Sequence, residues 1–92
     1  GVYEQMDFDY TFFEVLRFGY AAFKEWIKIG LNILYYRKEQ RLTQQQLADL
    51  CGEKPAFIQR VETGVSSCSL DTLIDIAAAL KIPLYKLFEF KE

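Results

Sequence analysis

The chain has 92 residues, 51% of them hydrophobic and 26% charged, with a net charge of −2. That length supports one modest core and not two. With no histidine and two cysteines seventeen positions apart, histidine-based catalysis and most zinc sites are excluded, and neither metal nor cofactor is expected.

Cys51 and Cys68 read as reduced packing residues of a cytoplasmic chain. The start shows no cleavable signal pattern. Lys24, Glu25 and Lys28 interrupt the most apolar stretch, 18–36, so no membrane span is expected. The charge divides unevenly. Residues 28–66 carry six Lys and Arg against four acids, whereas residues 1–27 carry two bases against five acids. The basic excess sits in the middle of the chain.

Residues 1–28 hold nine of the fifteen Phe, Tyr and Trp, beside five acids. Phe12, Leu16, Phe23 and Ile27 fall near one helical face, with Val15 and Trp26 beside it. Gly19 is an expected break. Phe8, Tyr10 and Phe12 alternate with Asp7, Asp9 and Thr11, which also fits a short strand or extended arm; helix is preferred from about Thr11. Such an aromatic face either folds back on its own chain or pairs with another, and self-association is the first reading.

Ile29, Ile33, Leu34 and the Tyr36-Arg37 pair predict a helix to about Gln40. Thr43 and Gln46 have capping-box spacing, opening a helix with Leu47, Ala48 and Leu50 as its buried stripe. Gly52 closes that helix, and Pro55 suits the first turn of the next, where its missing N–H has no intrahelical partner. Ile58 and Val61 face inward together, and Gly64 stops the run. Ser69 is an N-cap for a helix carrying Leu70, Leu73, Ile76, Ala77 and Leu80. Pro83 opens a last short helix with Leu84, Leu87 and Phe88 on its face. Residues 29–89 are therefore expected to form five short helices, held by packing because each is too short to stand alone.

These residues, at these offsets, resemble the phage repressor and Cro-like helix-turn-helix family, of the xenobiotic-response-element type. The likeness runs from about residue 29 to 89. It rests on Arg37, Leu42, Thr43-Gln44, Leu47-Ala48, Gly52, Ile58, Glu62, Gly64, Ser69-Leu70 and Leu87-Phe88. It implies an all-α, five-helix lambda-repressor-like domain over 29–92, preceded by the aromatic, acidic helical extension 1–28. It also implies that residues 43–51 cross a DNA backbone while 55–62 enter the major groove.

Carried over residue by residue, Gln44 is implied to hold a phosphate. Lys54, Ala56, Gln59, Arg60, Thr63 and Ser66 are implied to face the duplex. Arg60 is the strongest base reader, because a guanidinium bridges guanine O6 and N7. Pro55 and Ala56 offer no polar side chain where base contacts are expected, and the loop Val65–Ser69 carries no charge. Direct readout thus rests on few groups, and few phosphate contacts imply a shallow salt dependence. Arg37 and Glu62 resemble the family's structural ion pair.

The resulting expectation is a sequence-specific, non-enzymatic DNA-binding regulator acting on double-stranded DNA. Repression by promoter occlusion as a homodimer follows from family habit. The dimer interface is expected at Phe12, Leu16, Phe23, Trp26 and Ile27. The alternative is an antitoxin-like or adaptor module in which residues 1–28 grip a protein partner and DNA binding is weak or lost.

Overall fold

A computed structural model describes residues 8–90, with side chains from residue 19 onward. Its elements are α1 (Phe8–Glu39), α2 (Gln44–Cys51), α3 (Pro55–Glu62), α4 (Leu70–Ala79) and a closing 3-10 turn, Leu84–Phe88. No strand occurs among the described residues. The count differs from five α-helices, because the last element is a tighter 3-10 turn. It spans five residues after Pro83, slightly more than the three or four that 3-10 geometry usually sustains.

α1 is also longer than the sequence suggested. It runs 32 residues without interruption, so Gly19 breaks nothing and Phe8–Phe12 is helical. A glycine inside a helix costs about 1 kcal/mol relative to alanine, which a run of this length absorbs. At its other end Arg37 and Lys38 occupy the last turn, where positive charge offsets the helix dipole. Arg41 then takes the left-handed conformation, φ 57°, and the Leu42 amide donates to the Arg37 carbonyl at 3.0 Å.

α2 opens with a reciprocal cap. The Gln46 amide donates to Thr43 Oγ1 at 3.0 Å, and the Thr43 amide donates to Gln46 Oε1 at 2.8 Å. Gly52 closes it at φ 71°, conformational space that side-chain-bearing residues enter at a cost. Pro55 is the first residue of α3, and Ser69 Oγ caps α4 by accepting from the Thr72 amide at 3.2 Å.

Ile33, Leu47, Ile58, Val61, Ile76, Leu80 and Leu87 are fully buried in one core. α1 lies directly on the end of α3 at Gly30. A Cβ there would overlap the Val61 carbonyl oxygen and sit 2.7 Å from that of Glu62. Asn32 Nδ2 donates to the Leu87 carbonyl at 2.9 Å and the Glu89 carbonyl at 3.2 Å, fastening the closing turn to α1.

Three residues expected inside lie outside. Leu50 is 61% exposed, and Leu70 and Phe88 are exposed too. Helical phase explains the first, since Leu50 lies about 200° around the helix from Ala48. Leu70 is the first residue of α4, beyond the helix's contact with the core. No described helix is long and apolar enough to cross a membrane.

Candidate nucleic-acid interface

α3 has two sides with different chemistry. Ile58, Val61 and Glu62 point inward and are buried, while Ala56, Gln59, Arg60 and Thr63 are exposed. The exposed set follows i, i+3, i+4 and i+7 spacing, which makes one continuous outward stripe. Lys54 is exposed at the N-cap and makes no side-chain capping bond. Its ammonium is thus free of the helix it precedes.

Thr63 is committed to its own backbone. Its hydroxyl oxygen lies 3.0 Å from the Gln59 carbonyl and 3.1 Å from that of Arg60, so its proton is shared inside the helix end. The Val65 and Ser66 amides also donate to the Arg60 carbonyl, at 2.9 and 3.2 Å. Ser66 is half-buried beside exposed Val65. The turn after α3 is folded onto the helix end and presents hydroxyls and one apolar side chain.

A buried charge cluster sets how α3 sits. Arg37 is 8% exposed and Glu62 5%. Arg37 Nε donates to Glu62 Oε2 at 2.5 Å and Nη2 donates to Oε1 at 3.1 Å. Arg37 Nη1 donates to the Leu42 carbonyl at 2.8 Å. Gln44 Nε2 donates to Glu62 Oε1 at 2.9 Å. One carboxylate therefore collects donors from α1 and α2 and holds α3 against both. Satisfied on this scale, a buried ion pair is rigid, and breaking one partner leaves a costly charge behind.

The Gln44 contact changes what that residue has to offer. Its amide nitrogen gives one of its two protons to Glu62, and its backbone N–H is a further donor at the start of α2. The Gln44 and Gln45 amides have no protein acceptor among the described residues. They open an open groove of about 760 Å³ lined by Arg37, Lys38, Arg41, Leu42, Thr43, Gln44, Gln45 and Pro55. Lys38 and Arg41 are exposed there, and neither has an ion-pair partner among the described residues. Sequence reading assigned these two no role. Their signal was present in the local excess of bases, but the placement of Arg41 depends on its left-handed turn. Free amides at a helix start, flanked by two cations, are donors and charges that an anion can use.

The residues expected at a dimer interface are distributed differently. Phe12 and Leu16 lie in α1, but their side chains fall outside the described residues. Phe23 is 51% exposed. Trp26 is half-buried against the domain's own core. Ile27 is half-buried beside Gly64, where a Cβ would come within 2.7 Å of Ile27 Cγ1.

Both thiols are held protonated at neutral pH. Burial pushes Cys51 up to about 11, with Asp75 and Glu53 adding to the effect. Burial, then Glu53, likewise pushes Cys68 up to about 11. Neither has the lowered pKa of a nucleophilic cysteine.

Comparison with known proteins agrees with this geometry. A helix-turn-helix family model, HTH_3, matches residues 33–87. The restriction-modification controller protein C.AhdI from Aeromonas hydrophila is 30% identical. It superposes with a TM-score of 0.70 over 72% of this chain and 96% of that one. An HTH_3 family transcriptional regulator from Vibrio cholerae is 27% identical, with a TM-score of 0.69, over 73% of this chain and 38% of that one. The hypothetical transcription factor NHTF from Neisseria shares the fold at 24% identity, with a TM-score of 0.69, over 72% of this chain and 76% of that one. No curated protein sequence matches the chain. The buried Arg37–Glu62 bridge, the outward stripe of α3 and the matched span 33–87 lead to one assignment: the chain belongs to the Cro/C1-type helix-turn-helix family of DNA-binding transcription regulators.

Proposed function

We propose that this protein is a sequence-specific repressor that binds duplex DNA as a homodimer and blocks promoter access by occupying it. The observation that carries the reading is the pairing of two surfaces through one buried cluster. The Arg37–Glu62–Gln44 contacts fix the outward stripe of α3 relative to the anion-binding start of α2. In the major groove, Arg60 is the base reader, Gln59 and Lys54 reach base edges or phosphates, and Ala56 packs on a thymine methyl. Lys38, Arg41 and the Gln44 and Gln45 amides grip the backbone and set the register without reading sequence. Thr63 and Ser66 sit at the edge of the duplex. Repression then needs no chemistry beyond occupancy.

Selection of bound sequences from random duplex DNA tests this reading. A shared motif made of two related halves supports it; recovery of unenriched DNA rejects it. A second reading, an adaptor or antitoxin-like module, is favoured by one observation, the exposed aromatics Tyr20 and Phe23 on α1. In that case residues 1–28 bind a different protein, and the same selection recovers no motif.

A further inference from the structure

Among the described residues, the domain covers one face of α1 at one end only. Taken at about 100° per residue, Gly19, Phe23, Trp26, Gly30, Ile33 and Arg37 all lie within a third of a turn of one line. Gly30, Ile33 and Arg37 are buried and Trp26 is half-buried, whereas Phe23 is 51% exposed and Gly19 is exposed. The buried face of α1 continues past the edge of the domain with nothing in the described chain laid upon it.

Gly19 has no explanation among the described residues. Glycine is among the poorest helix formers, and a Cβ at Gly19 would meet nothing within 4 Å. Gly30, on the same face of the same helix, is a glycine because α3 approaches too closely for a Cβ. Helices pack closest where a residue without a side chain lies at the crossing.

The sequence around Gly19 is balanced about it. By helical register, Leu16 and Ala22 lie three positions away on either side, Val15 and Phe23 four, and Phe12 and Trp26 seven. Each pair sets a large group against a smaller or equal one, and aromatic residues stand at both ends. The charged residues Glu14, Arg17, Lys24, Glu25 and Lys28 all fall on the opposite half of the helix.

We propose that the occupant of this face is the same face of a second copy, in antiparallel orientation, with a two-fold axis at Gly19. Position 23 of each copy then lies opposite position 15 of the other, and position 12 opposite position 26. An isologous contact requires just this self-complementarity. Phe23, 51% exposed, still has apolar area for that partner to cover. Along α1, Gly19 to Gly30 is eleven residues, so the two α3 contacts stand roughly 33 Å apart. One turn of DNA is about 34–36 Å.

This proposal rests on the dimeric reading above, and one set of measurements separates the two. The parent chain is sized by sedimentation equilibrium beside Gly19→Leu, at a site where a Cβ meets nothing within 4 Å among the described residues. Separately, Val15→Cys and Phe23→Cys are oxidised alone and mixed, with the linked peptides identified by mass. The expected results are a dimeric parent, a dissociation constant raised about tenfold or more by Gly19→Leu, and 15–23 links formed on mixing. Self-links within Phe23→Cys alone, or a Gly19→Leu dimer as tight as the parent, overturn the antiparallel crossing while leaving a dimer in place. A parent that stays monomeric at high concentration overturns both.

Discussion

Gln44 Nε2 donates to Glu62 Oε1 at 2.9 Å, on the same carboxylate oxygen that accepts from Arg37 Nη2. The residue that opens α2 is thereby tied to the last residue of α3. A side chain expected to serve DNA alone also aligns the two helices of the motif. Gln44→Ala is expected to destabilise the fold by about 1.5 kcal/mol, as loss of a hydrogen bond to a charged group does. In a domain of this size that lowers the melting temperature by several degrees. Binding to all duplexes should weaken together. Thermal melts and DNA titrations on two unrelated duplexes check both; an unchanged melt removes Gln44 from the structural cluster.

Arg37 and Glu62 are expected to matter more. Either Arg37→Ala or Glu62→Ala leaves a buried charge unpaired, at a cost of about 3–5 kcal/mol. Arg37→Met with Glu62→Leu removes both charges and is expected to cost less than the two single losses combined. Denaturant unfolding of the singles and the double measures the coupling. Singles that unfold like the parent would contradict the buried bridge.

Lys38 and Arg41 test the groove at the start of α2. Replacing either with alanine should weaken binding about equally on every sequence and lower the salt slope by about one. Affinities across a salt series give that slope directly. A loss confined to one base position would instead make the residue a reader.

The thiols give an alkaline signature with a definite sign. Cys51 and Cys68 stand near 11 in the folded chain against an ordinary 9.0. Between those values the folded state holds protons that the unfolded state has released. Their contribution is complete below pH 9 and is lost as pH rises toward 11. Replacing both with alanine should shrink the drop in melting temperature between about pH 8 and about pH 10.5. A drop of the same size in the variant would assign it to other groups.

Much of the motif was legible because local chemistry decides it. The Thr43–Gln46 cap, the Gly52 stop, Pro55 and the Ser69 cap each follow from a backbone group needing a partner or a conformation needing glycine. Buried Leu47, Ile58, Ile76 and Leu80 followed from helical period. The length of α1 did not, because Gly19 looks like a break when only propensity is weighed and thirty-one other residues are not. Leu50 was misplaced since a short helix fits more than one apolar phase. The Gln44–Glu62 bond spans eighteen positions and the Lys38–Arg41 groove depends on a left-handed turn, so neither has a local signature.

The claim at the centre is that the outward stripe of α3 reads base pairs through Arg60. Sequence selection from random duplex DNA, run in parallel on the parent and on Arg60→Ala, tests it most directly. The expected result is a two-part motif for the parent. In the variant, preference should relax at one position per half, equivalent to about 1–3 kcal/mol, with the rest intact. An identical motif from both proteins, or none from the parent, would contradict it.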